Sequence, residues 1–78
     1  IQRVRAGRAD HQAAMEQAAK AEQAARTVRK AELDLPELTT QRYMALCQEI
    51  CQAKADAYAD YLRNRHQVEL AAQYDSCQ

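Results

Sequence analysis

The chain has 78 residues, with 11 Lys+Arg against 11 Asp+Glu, 1 Gly, 1 Pro and neither Trp nor Phe. That length allows one domain at most and a marginal core, because so short a chain buries only about 60% of its unfolded surface. Zero net charge excludes a general attraction to nucleic acid or anionic membrane, and no apolar run approaches the roughly 20 residues of a membrane-spanning helix.

Alanine and glutamine, interleaved with Glu, Arg and Lys, favour long helices or coiled coil, and strand formers are too scattered for period-two runs. The expected fold class is all-α. It is an antiparallel two-helix hairpin, an alanine-rich coiled coil, completed to a four-helix bundle by dimerisation or by docking into a helical assembly. One unit spans 1–78, with helix 1 over about 3–32, a turn over about 33–35 and helix 2 over about 35–74.

Helix 1 carries Val4, Gly7, His11, Ala14, Ala18, Ala21, Ala25 and Val28 at heptad a and d positions. A seam of small residues lets a second helix approach closely but buries little per residue, so it needs larger side chains from a neighbour. The break falls at Leu33-Asp34-Leu35-Pro36-Glu37. Asp34 is a good N-cap, Glu37 stands three residues on as in a capping box, and Pro36 suits a first turn. A start at Thr39 or Thr40 is the competing reading and lengthens the loop.

Helix 2 has an apolar stripe wider than one helix contact requires. Met44, Cys47, Cys51, Tyr58 and Leu62 lie to one side, and Leu46, Ile50, Ala57, Tyr61 and Val68 to the other. One side meets the alanine seam and the other awaits a partner. Folding about Asp34 sets Ala21 near Cys47, Ala18 near Ile50, His11 near Ala57 and Arg3 near Arg65. Helix 2 then overhangs with Val68, Leu70, Ala71, Ala72 and Tyr74 uncovered. The residues assigned to a protein interface are Leu46, Ile50, Tyr58, Tyr61, Leu62, Val68 and Leu70.

An odd cysteine count argues against a purely internal disulfide framework. Cys47 and Cys51 read as small buried apolar residues one helical turn apart, and Cys77, near a frayed end, is a candidate for an intermolecular disulfide in an oxidising compartment. No metal, catalytic or cofactor constellation is expected, since the register keeps His11 and His66 apart from each other and from Cys47 and Cys51. A bare hairpin also offers little concavity, so no small-molecule substrate is expected. His11 reads as a tolerated polar seam position, or as a register or pH device.

Charge is uneven along the hairpin. Arg3, Arg5, Arg8, Arg63, Arg65 and His66 gather at the open end, and Glu32, Asp34 and Glu37 stand at the turn. Three uses compete: solvation with helix-linking pairs, orientation of an antiparallel dimer, and binding of phosphates by Arg3, Arg5, Arg8, Arg63 and Arg65. Interleaved acids count against the last.

In outline, with its alanine-bearing hairpin and its Glu32-Leu33-Asp34 turn region, the chain resembles the plasmid-encoded RNA-binding hairpin dimers that form four-helix bundles. In size and proline-containing turn it also resembles secretion-needle subunits. These resemblances imply a helical assembly, with nucleic-acid binding in the first case, and assign no functional residue. The residues themselves point to a non-catalytic structural or interaction module, a homo-oligomer or the partner of another helical protein. The alternative is a small nucleic-acid-binding regulator. No signal peptide is visible, and the chain begins at Ile1, as a processed chain or a fragment does. The sequence assigns no compartment, with the cytoplasm slightly favoured.

Overall fold

The computed structural model describes the backbone of residues 2–77 and the side chains of residues 9–77. Three helices follow in chain order: α1 Gln2–Leu33, α2 Thr40–Asn64 and the short α3 Val68–Ala72. Among the described residues there is no strand. α1 and α2 form the long antiparallel hairpin of a molecule measuring 53 × 18 × 17 Å.

The bend between α1 and α2 follows from three local choices. Leu35 precedes Pro36, which disfavours helical backbone at Leu35, so α1 stops at Leu33. A turn over Leu35–Leu38 is then closed by the Leu38 N–H on the Leu35 carbonyl at 3.2 Å. Thr39 ends it as the N-cap of α2, with extended backbone and its hydroxyl accepting from the Arg42 N–H at 3.1 Å. Asp34, the expected cap, instead has its carboxylate on the Lys30 ammonium one turn back, at 2.7 Å. The later of the two start points read from the sequence is therefore the one adopted.

The longer loop moves the register. Glu22 meets Lys54 at 3.9 Å, Arg29 meets Glu49 at 2.9 Å and Glu32 meets Arg42 at 2.5 Å. All three fall several residues further along α2 than a fold about Asp34 places them. Asp10 lies beside Arg65, while the Arg3 side chain that the fold about Asp34 sets there is outside the described residues.

α2 ends earlier than the expected Tyr74, and the reason is a left-handed residue. His66 has φ 62°. Around it the Gln67 N–H reaches the Leu62 carbonyl and the His66 N–H reaches the Arg63 carbonyl, both at 2.9 Å. That pair of bonds is the Schellman arrangement, which satisfies the last carbonyls of a helix and turns the chain out of it. Glycine normally holds this position. Histidine is one of the few other residues that visit it with any frequency, at a cost of about 1 kcal/mol. The chain then reverses, so α2 does not overhang: α3 packs on α2 and the residues after it run back along the same helix.

The core has two parts. Ala14, Ala18, Tyr58, Ala59, Leu62 and Ala71 form one buried cluster, with Tyr61 packed against it. Nearer the turn Ala25, Leu46 and Ile50 are buried. Leu46 and Leu62 are the largest side chains to be shut off almost completely, each contributing about 1.5–3 kcal/mol by burial. Ala14, Ala18 and Ala25 are the buried members of the expected seam, whereas Val28 is 80% exposed.

Candidate functional site

The feature with most chemical character is built by the returning C-terminal segment. Ala71 of α3 is wholly buried in the cluster with Leu62 and Tyr58. Tyr74 then stands edge-on to Tyr58, ring centres 5.0 Å apart. Gln52 brackets the tail, its Nε2 donating to the Asp75 carbonyl at 2.9 Å and its Oε1 accepting from the Cys77 N–H at 3.1 Å. Cys77 finally joins Cys51 in a disulfide, Cα atoms 5.4 Å apart. Two expectations are corrected here. Cys77 closes a loop within its own chain rather than bridging two chains, and Cys51 is a disulfide partner rather than a plain core residue. Reversal at His66 brings the two sulfurs together, which a helix running straight to Tyr74 forbids. Cys47 is free and exposed, not buried.

Between α1, α2 and this tail lies a groove of about 310 Å³. His11, Met15 and Ala18 form the α1 wall, and Cys51, Lys54, Ala55 and Tyr58 the α2 wall. Gln73, Tyr74, Ser76 and Cys77 close the third side. His11 Nδ1 and the Tyr58 hydroxyl are hydrogen-bonded at 2.5 Å, their rings edge-on at 5.7 Å. Burial, with a smaller push from Tyr74, raises the Tyr58 pKa, so the phenol stays protonated well above neutrality. His11 and Cys51, which the expected register separates, thus line one groove. The sequence reading missed this concavity because it allowed for two helices only; a third packed segment makes it.

On the other flank Asp10 ties the α2–α3 junction to α1. Among the described residues it is the one buried charged group, and it accepts from Arg65 Nε at 3.3 Å and from Gln67 Nε2. No buried side-chain polar atom among the described residues lacks a partner.

The expected interface residues divide. Leu46, Ile50, Tyr58 and Leu62 are buried within the chain, and Tyr61 is half-buried against the core cluster. Val68 and Leu70 are exposed. On the side of the stripe with Cys51, Tyr58 and Leu62, Tyr58 and Leu62 pack with Ala14 and Ala18 of α1 and Ala71 of α3, and Cys51 is bonded to Cys77. That cover stops at Cys51. One turn further towards the bend, Cys47, Met44 and Tyr43 continue the same face uncovered, with Met44 64% and Tyr43 51% exposed. The Tyr43 pKa is raised, first by the neighbouring Cys47 thiol.

Of the open-end arginines, Arg63 and Arg65 have carboxylate partners. Arg63 contacts Asp60 at 2.5 Å and Asp75 at 3.9 Å, and Arg65 is held by Asp10. The side chains of Arg3, Arg5 and Arg8 lie outside the described residues. Among the described residues no three His, Cys, Asp or Glu side chains converge as metal ligands, and no helix is long and apolar enough to cross a membrane.

No protein-family model matches the sequence, no curated protein matches it and no solved structure matches it.

Proposed function

We propose that this chain is a non-catalytic helical interaction module that pairs through the turn-side face of α2, most simply with a second copy of itself. The carrying observation is the interruption of cover along one stripe. From Leu62 to Cys51 the stripe is closed by α3 and the tail, and from Cys47 to Tyr43 it is open. Met and Tyr suit such a surface, the first by adapting its shape and the second by carrying an apolar ring with a polar tip. Pairing of two hairpins by this face makes a four-helix arrangement and removes the exposed apolar area. A nucleic-acid reading draws less support, because Arg63 and Arg65 already have carboxylate partners.

The test is native mass by sedimentation or light scattering across the micromolar range, for the native chain and Met44→Glu. A dimer or higher oligomer that dissociates in Met44→Glu supports the reading. A monomer throughout, with helix content intact, overturns it. Cys47 provides a second readout: oxidative cross-linking between chains is expected to be rapid in the native protein and slow in Met44→Glu.

A further inference from the structure

The groove between α1, α2 and the tail is separate from the proposed pairing face, and its lining has a definite chemical bias. Met15, Ala18, Ala55, Tyr74 and the Cys51–Cys77 disulfide make it apolar, and neither Asp nor Glu lines it. Its charged lining group is Lys54, accompanied by His11. The Lys54 ammonium has one acidic neighbour, Glu22, at the long separation of 3.9 Å, and its side chain is 44% exposed. An ammonium at the rim of an apolar slot, weakly engaged and partly in water, is poised to accept an anionic head while the slot takes the tail.

We propose that this groove binds a small amphipathic carboxylate, of the medium-chain fatty acid kind. The carboxylate pairs with Lys54, and the alkyl chain lies against Met15, Ala55, Tyr74 and the disulfide. A volume of about 310 Å³ stands at the small end of ligand sites, which limits the ligand to one short chain. Three walls from distant parts of the sequence, the third held in place by a covalent bond at Cys77, give the slot a fixed shape before any ligand arrives, which lowers the ordering cost of binding. Opposite charge at the rim distinguishes an acid from an amine of the same length, and apolar walls distinguish a long chain from a short one.

The experiment is a titration of the oxidised chain with octanoate, octan-1-ol and octylammonium. It is followed by tyrosine fluorescence, to which Tyr58 and Tyr74 contribute two of the chain's 4 Tyr, and by amide chemical shifts, which locate the site. Octanoate is expected to bind most tightly, with shifts confined to residues 11–18, 51–58 and 73–77. Shortening towards butanoate is expected to weaken binding about fourfold per CH₂, the factor that burial of one methylene supplies. Lys54→Gln is expected to weaken octanoate about tenfold and to leave octan-1-ol unchanged. Ala55→Leu, which fills the slot and keeps Lys54, is expected to abolish binding of both. Equal affinity for octylammonium, an octanoate affinity indifferent to Lys54→Gln, or shifts centred on the turn half each overturn the proposal. Unaltered binding in Ala55→Leu does so as well.

Discussion

The turn half and the open half of this hairpin share the same alanine-rich α1 and are held by different forces. Near the turn, Ala25, Leu46 and Ile50 are the buried apolar residues, and the flanks are laced by Arg29–Glu49, Arg42–Glu32, Arg42–Glu49 and Lys30–Asp34. At the open end three elements converge on Ala14, Ala18, Tyr58, Ala59, Leu62 and Ala71, a disulfide closes the tail, and a buried Asp10 pins the junction. An alanine seam supplies closeness without area. Where a third segment adds area, a dry core forms; where none does, exposed ion pairs flank two helices and the large apolar residues Met44 and Tyr43 stay in water. Surface pairs of that kind contribute little each and are screened by salt, so the open half is expected to be the more stable.

The largest expected effect comes from cutting the tail loose. Cys77→Ser removes a cross-link between residues 26 apart. On chain-entropy grounds that costs about 3 kcal/mol, seen as a lower denaturation midpoint and as faster amide exchange around Ala71 and Tyr74. Cys47→Ser, in the turn half, is expected to leave both unchanged. An equal loss in the two variants would erase the distinction between the halves.

Asp10→Ala comes next. It removes the buried carboxylate that accepts from both Arg65 and Gln67, and the loss of these charge-assisted bonds is expected to cost about 1–3 kcal/mol in denaturant unfolding. His66→Gly has the opposite sign. Glycine at φ 62° avoids the Cβ penalty that histidine meets there, so a stability gain of up to about 1 kcal/mol is expected. A loss would mean that the imidazole makes a contact of its own.

Acid acting through Glu32 at the turn is expected to have the smallest effect. The Glu32 pKa is held below its ordinary value, first by the hydrogen bond from Arg42. A carboxylate whose pKa is depressed by folding stabilises the fold at pH values above its unfolded pKa. That contribution disappears as pH falls through the lower, folded value. Exchange at amides of residues 29–45, relative to the intrinsic rate at each pH, is therefore expected to speed up below the carboxylate range. Glu32→Gln is expected to remove the share of that acid sensitivity that Glu32 carries.

Much of this architecture is legible in the residues, and the failures have local causes. The alanine seam, the absence of strand signals and Pro36 point to two long antiparallel helices, and two such helices are present. The early stop of α2 left no glycine or proline to read, since His66 takes the left-handed position. Missing that reversal carried other misplacements with it: an overhang that is in fact a folded-back α3, a Cys77 offered to another molecule, and Tyr58 and Leu62 set on an interface although they are buried within the chain. Choosing Asp34 over Thr39 as cap set the register several residues off, because nothing local says that Lys30 has taken the Asp34 carboxylate.

Composition and periodicity by themselves determined the fold class, since alanine-rich helical propensity and a 3.6-residue stripe belong to each segment regardless of its neighbours. They also determined that α2 carries more apolar surface than α1 covers. Only the tertiary structure decided what covers the excess, because that depended on one residue at φ 62° turning a terminal segment back over the helix it had just left. The same turn created the groove beside Lys54 and Tyr58 and left Cys47, Met44 and Tyr43 as the open remainder of the stripe.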